Sequence, residues 1–383
     1  MTAIRFTIGG PGIDAIVRTV PVTGPVMTVT LQVPTGPART ILVEALDSGG
    51  FSRFRGSAVV DTAGAPLAIT IGMAVDPSNP ALQAWSVVHN TVSTSATLNR
   101  VAQGGGIVLA GGTSGELLSS IDGITWTSRD SRNISGDISS LSFGGNTFLA
   151  MTSAGNFTAF PVTWTNRFFG APSDNVDDWT ARGVIGTVES PLAEIAFGGG
   201  VFVVVGGNAA FRSIDNGSTW SPGTITGMQG LSHVAYGNGR FVAIGVAGDN
   251  VAVSTDGTQW ETHAMGLPSG EVPDLLGFGN GTFVATTSSG SVLLSIDGIA
   301  WQPRTPFADL SGLDISTSSI VAGGGGFMAV TTGSLYFTFD SGVTWTEVVP
   351  LPSGFYRDGI CWNGAFVVVG STGPGSVFRS GNL

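Results

Sequence analysis

An all-β fold, a seven-bladed β-propeller preceded by a small antiparallel β-sandwich, is predicted by three observations: a unit of about 40 residues that recurs, a hairpin signature ahead of each turn, and tryptophans at a constant step. The turn comes first. Ser120-Ile-Asp122-Gly123-Ile-Thr125-Trp126 returns at Ser213 to Trp220, Ser254 to Trp260, Ser295 to Trp301 and Thr338 to Trp345. Upstream stand Ile195-Ala-Phe-Gly-Gly-Gly-Val-Phe-Val, Val234-Ala-Tyr-Gly-Asn-Gly-Arg-Phe-Val and Leu276-Gly-Phe-Gly-Asn-Gly-Thr-Phe-Val, two β-rich runs around a Gly/Asn pair suited to the positive φ of a tight hairpin. Versions near Val101, Leu141, Val321 and Ile360 bring the copies to seven. Each copy reads as four strands, the content of one propeller blade. Helical periodicity is absent, and 59 glycines in 383 residues would penalise helices.

Closure of the ring is read from the tryptophans. Trp126, Trp179, Trp220, Trp260, Trp301 and Trp345 serve six copies, and the seventh copy runs out at Leu383 without one. Trp85 precedes Trp126 by 41 residues, the step that also separates Trp179 from Trp220 and Trp260 from Trp301. The segment Trp85-Ser-Val-Val-His is therefore expected to supply the outer strand of the last blade, which gives a propeller over residues 81–383 with no free strand edge.

Residues 1–80 lack the repeat. Ile4–Ile8, Met27–Val33, Thr40–Ala45, Gly56–Val60 and Leu67–Met73 alternate as strands with Gly/Pro turns between them, the pattern of a sandwich. Ala74-Val-Asp-Pro-Ser-Asn-Pro-Ala forms a stiff junction to the propeller.

Composition excludes several classes. Charged residues make up 11% of the chain and hydrophobic residues 42%, so disorder is not expected. The net charge is −11 and no lysine occurs, all 15 basic residues being arginine, which argues against a nucleic-acid partner. No apolar run is long enough to span a membrane. Cys361, the single cysteine, cannot form an internal disulfide and reads as a small hydrophobe within a strand. Met-Thr-Ala-Ile-Arg-Phe enters a strand directly and is no secretion signal, so the expected location is secreted or outer-surface with the leader already removed, or else a virion.

In the turns, aspartate accepts backbone N–H groups, glycine takes positive φ and tryptophan packs between blades. Asp122, Asp215, Asp256, Asp297 and Asp340 are accordingly read as turn formers, since residues repeated around a ring cannot converge on one substrate. This Ser-x-Asp-(x)-Gly-x-Thr-Trp pattern resembles the Asp-box of the sialidase-type (BNR-like) repeat families, whose members include enzymes and non-enzymes. Val33-Pro-Thr-Gly-Pro-Ala-Arg-Thr with Ala45-Leu-Asp-Ser-Gly-Gly resembles immunoglobulin-like stalk domains of bacterial surface proteins.

Catalytic constellations are poorly supplied. A sialidase needs an arginine triad and a Tyr/Glu pair, but only Tyr236, Tyr336 and Tyr356 exist, and two of them lie in repeat strands. Other glycosidases need two carboxylates about 5–10 Å apart, and Asp309, Asp314, Glu271, Asp274 and Asp358 read as solvated residues of loops between strands. His89, His233 and His263 lack metal-ligand spacing and read as strand-end or surface residues, so neither metal nor cofactor is expected. One departure stands out: the step from Trp126 to Trp179 is stretched to 53 residues and the box is lost. The extra segment holds Phe160, Trp164, Arg167, Phe168 and Phe169, expected to be partly exposed and to contact a partner or a second copy. The reading is a non-enzymatic binding or structural protein at a bacterial cell surface, a platform for protein or glycan contact. A phage tail component and a divergent glycoside hydrolase are the alternatives.

Overall fold

The structure is a computed structural model that describes residues 1–23, 29–46, 52–62, 74–75, 84–90, 97–156, 163–304, 317–338, 345–348, 351–371 and 375–381. Among these residues there is no α-helix, and a single 3₁₀ turn occurs at Thr113–Gly115. The strands form one five-stranded sheet and seven four-stranded antiparallel sheets, numbered one to seven below in chain order.

The inner strands of the seven sheets are Leu98–Gly104, Ile138–Gly144, Glu194–Gly198, Leu231–Gly237, Pro273–Gly279, Thr317–Gly323 and Phe355–Trp362. Each packs beside the next, and the last returns to the first, so the sheets stand in a closed ring around their inner strands. Every inner strand turns into its second strand through two residues of positive φ, such as Gly105 (57°) with Gly106 (82°) or Asn238 (47°) with Gly239 (78°). These conformations match the twist of a two-residue hairpin, which is why Gly and Asn recur there. A second role of glycine shows at Gly104, where a Cβ would lie 1.9 Å from the Phe143 ring of the next sheet. The repeated Phe-Gly pair is thus an inter-sheet joint, in which the ring of one copy occupies the space left by the glycine of the preceding one.

Ser86–Asn90 pairs antiparallel with Gly375–Arg379 as the fourth strand of sheet seven. Trp85, just before it, packs on the cluster of Val330, Phe337, Phe366 and Phe378 between sheets six and seven. Trp126 does the same one step on, lying with Val367, Val369 and Val377 between sheets seven and one. Phe54 of the N-terminal sheet rests on the same cluster as Trp85, so the first domain touches the ring where its two ends meet.

In the N-terminal domain the strand order is Ile16–Pro21, Ala3–Gly9, Gly36–Leu46, Ser52–Thr62, Ala74–Val75. Among the described residues this is one sheet, where two would be needed for a sandwich. The expected strand at 27–33 is not formed over its described part; Val29, Leu31 and Val33 instead lie across Phe6, Ile8, Ile41 and Val43 as a strip. The strand Ile16–Pro21 was not foreseen, because its side chains are almost all exposed and it lacks an apolar face. Leu67–Met73 lies outside the described residues.

The stretched second copy is the main correction. The described part of its extra residues lengthens the two middle strands of sheet two to ten residues each, Thr147–Asn156 and Thr163–Pro172, and does not stand outside the repeat. Phe168 (1% exposed) and Phe169 (4%) are core residues and cannot be offered to a partner. The reason is geometric: successive side chains of a strand point to opposite faces, and both faces of a blade are covered by neighbours. Phe168 accordingly stacks on Trp220 of sheet three, ring centroids 4.4 Å apart, while Phe169 joins Leu109 and Trp179 on the side of sheet one. Arg167, just before them in the strand, is exposed. Phe160 lies outside the described residues.

Candidate functional site

Two sets of polar side chains are candidates, at opposite ends of the sheets. The first is the set of box turns between third and fourth strands. In sheet one, Asp122 Oδ1 accepts the N–H groups of Ile124 (2.8 Å) and Thr125 (2.7 Å). Ser120 Oγ donates to the same carboxylate and accepts the N–H of Gly123. The Trp126 indole closes the turn on the Gly123 carbonyl. Asp256 and Asp297 repeat this pattern with Thr258 and Gln259, and with Ile299 and Ala300. Asp215, in the longer box, takes the N–H and hydroxyl of Thr219. Asp340 lies outside the described residues.

These bonds favour the charged carboxylates. The N–H groups of Thr125 and Ile124 draw the Asp122 carboxyl down to about 2. The backbone bond from Thr258 holds Asp256 below the usual aspartate range, while for Asp215 and Asp297 the upward pull of burial is outweighed by the combined hydrogen bonds. Each aspartate is thus engaged with its own turn.

The second set lies in the central channel. In a four-stranded meander the inner strand begins on the face opposite the box turn, and a cavity of about 480 Å³ opens at that end. One place of the repeat supplies its wall: Arg100, Ser140, Glu194, His233, Leu275, Ser319 and Asp358, one residue from each inner strand. Beside this place the strand register shifts in six of the seven sheets, as between Leu98 and Arg100, Leu231 and His233, and Tyr356 and Asp358. Such bulges re-aim a side chain. The lengthened hairpin of sheet two rises on this face, and its Ser153 also lines the cavity.

Hydrogen bonds tie the wall around the ring. Asp358 Oδ2 accepts the N–H of Val101 (3.0 Å), Ser140 Oγ that of Ile195 (3.0 Å), and Glu194 Oε2 that of Val234 (2.8 Å). Adjacent inner strands belong to different sheets, so these N–H groups need side-chain acceptors. Arg100 donates through Nη1 to the Asn99 carbonyl (2.9 Å).

All four titratable wall residues keep part of their surface on the cavity, yet protein replaces much of their hydration. Burial pushes the Glu194 carboxyl up to about 7, against the Val234 N–H and the charge of Arg100. Burial also raises Asp358, again against Arg100. The His233 imidazole is pushed down to about 4 by burial and then by Arg100. Among the described residues no group of three metal-ligating side chains is placed to hold an ion, and no helix is long and apolar enough to cross a membrane.

Sequence reasoning placed some of these residues differently. Asp358 and Asp274 sit within inner strands, not in loops between strands, and His233 faces the channel and is no surface residue. Glu271 receives the Thr287 hydroxyl (2.7 Å) and, like Asp274, is absent from the cavity wall. Asp309 and Asp314 lie outside the described residues. Arg100, Ser140 and Glu194 were missed, although each stands one residue ahead of the hairpin signature. Aligned on that signature, their column carries polar residues of differing kinds directly ahead of a mostly apolar one.

Neither a family model nor a curated protein matches the sequence. Solved structures do. The chain is similar to YCF48 bound to D1 peptide, at 17% identity and a TM-score of 0.59, over 78% of this chain and 97% of that one. It is similar to a catalytically inactive virginiamycin B lyase from Staphylococcus aureus with quinupristin, at 10% identity and a TM-score of 0.61, over 78% and 99%. The β-propeller domain of Cps50 (Swd1) from Myceliophteria thermophila matches at 13% identity and a TM-score of 0.55, over 77% and 99%. At such identities the likeness shows the fold alone. The ring of four-stranded sheets is a β-propeller.

Proposed function

We propose that the chain is a non-catalytic binding module, a seven-bladed propeller of the sialidase-type Asp-box repeat carried on an immunoglobulin-like N-terminal domain. It works at a bacterial cell surface and presents the channel mouth to a protein or a glycan. The observation that supports this reading is the division of polar groups: the repeated aspartates are engaged in their own turns, while the varied polar residues meet in one cavity. A peptide-bound neighbour such as YCF48 is in keeping with a propeller that binds through a face.

The wall holds one arginine and no tyrosine, so the described residues there do not assemble a sialidase triad with its Tyr/Glu pair. Tyr356 is buried, its hydroxyl turned to the Pro352 carbonyl. A second reading has one observation in its favour. Glu194, held near neutrality across a cavity shared with Asp358, has the protonation that a glycosidase acid requires. Chromogenic aryl glycosides and sialosides, assayed beside a glycan array, separate the two readings. Binding without turnover is expected; turnover that disappears in Glu194→Gln would establish the hydrolase instead.

A further inference from the structure

Arg100 and Glu194 face one cavity with unused hydrogen-bonding capacity of opposite kinds. Arg100 gives one N–H to Asn99, which leaves Nε and Nη2 without an acceptor among the described residues. Glu194 takes the Val234 N–H on Oε2, and its Oε1 has no donor among them. The two feel each other's charge but form no ion pair. Asp358 differs: Val101 and Gly359 occupy its two oxygens, so it serves the wall more than the cavity.

Behind Ser153 and Leu192, both on the cavity wall, lies Asn166, with 0% exposure. Its Oδ1 receives Ser153 Oγ (2.7 Å) and Leu192 N (3.2 Å), while its Nδ2 has no partner. A buried amide with an unused donor is costly unless a ligand or neighbouring group meets it.

Charge selects the class of ligand. An anion drawn to Arg100 would meet Asp358 in the adjacent sheet and Glu194 across the cavity, and a cation drawn to the carboxylates would meet Arg100. A hydroxyl donates and accepts at once, and so satisfies an arginine on one side and a carboxyl on the other. His233, neutral above about pH 4, pairs Nδ1 with the Ser232 hydroxyl (3.0 Å) and leaves Nε2 to meet a further hydroxyl. Leu275 and Leu276 give the opposite wall an apolar surface suited to C–H groups. The volume, about 480 Å³, falls within the ~300–1,000 Å³ usual for small-ligand pockets.

We propose that the channel mouth binds a neutral monosaccharide unit, with adjacent hydroxyls bridging the Arg100 guanidinium and the Glu194 carboxyl. This rests on the binding-module reading and narrows it to a sugar in the channel.

The test is saturation-transfer NMR on the full chain with D-glucose, D-galactose, D-mannose and N-acetyl-D-glucosamine, and with N-acetylneuraminic acid and D-glucosamine as charged comparators. At least one neutral sugar is expected to bind, about tenfold or more weaker in Arg100→Met and in Glu194→Gln, because each loses charge-assisted bonds. Arg132→Ala, at an exposed pair with Asp130, should bind as the parent does. Ser232→Trp fills the cavity without removing a charge and should abolish binding, which keeps the test decisive should the Arg100 variant fail to fold. Absence of signal from every neutral sugar at millimolar concentration, or binding of the charged comparators alone, overturns the proposal. Equal binding by all variants also overturns it but leaves the binding-module reading intact. Hydrolysis of the sugar's glycosides would remove that reading instead.

Discussion

At the box turns Asp122, Asp215, Asp256 and Asp297 make closely similar bonds in four sheets, whereas at the channel mouth one place of the repeat carries Arg100, Ser140, Glu194, His233, Leu275, Ser319 and Asp358, with only serine recurring. Both regions are built from the same units, at opposite ends of the same strands. The first solves one local problem, closing a turn, and has one answer. The second faces a shared axis where side chains from all seven sheets meet, so identical residues would crowd like charges together. In a ring, uniformity marks the parts that build, and variety marks the place where the copies can act jointly.

The largest expected effect bears on both regions at once. Deleting residues 81–95 removes the strand Ser86–Asn90 and the Trp85 contact, and the ring should lose its cooperative melting transition. An unchanged melting temperature would show that closure does not depend on this strand. Next in size is Phe168→Ala, which empties a fully buried site against Trp220 and should cost ~3–5 kcal/mol in chemical denaturation without altering self-association. A stability change within error, with weakened association, would restore this side chain as a contact residue.

Asp256→Ala strips two backbone N–H groups of their acceptor and should cost roughly 1–3 kcal/mol, with sugar or partner binding unaffected. A loss of binding at unchanged stability would break the contrast between the two ends.

The smallest effects are in pH dependence, where the carboxyls of the two ends should differ in sign. The lowered box carboxyls contribute stability above the ordinary aspartate range, and this is lost on acidification, for Asp122 as pH falls from about 4 to about 2. Glu194 acts oppositely. Between 4.5 and about 7 the folded chain keeps a proton that the unfolded chain has released, so stability falls as pH rises through that window, with Asp358 adding in the same direction. His233 opposes them, since from about 4 to 6.5 only the unfolded chain is charged there and stability rises with pH. In Glu194→Gln the histidine trend should emerge, so that denaturation midpoints climb from pH 4.5 to 6.5 more than in the parent. A parallel pair of curves would show that Glu194 is not desolvated.

The repeat was legible because its constraints are local: a glycine with positive φ, an aspartate two or three residues from the N–H groups it accepts, a tryptophan at a fixed step. Trp85 shows how far such a signal reaches, for it locates a strand whose partner lies at the other end of the chain. The cavity was less legible because its residues are far apart in sequence and none forms a motif with its neighbours. Phe168 and Phe169 mislead for a related reason. Extra length suggests freedom from the repeat, but a strand can lengthen inside a blade and stay covered on both faces.

Pairing of Ser86–Asn90 with Gly375–Arg379 also has a kinetic side. The contact spans almost the whole propeller, and contacts of such sequence separation form slowly because the loop must close before the strand pair stabilises it. During synthesis, sheet one waits for its neighbour in sheet seven, with Val108, Leu118 and Trp126 uncovered until the last strands emerge. The lag would favour intermolecular pairing at that seam, so the interval between making the first strand of the ring and the last is the period in which this chain is most prone to aggregate.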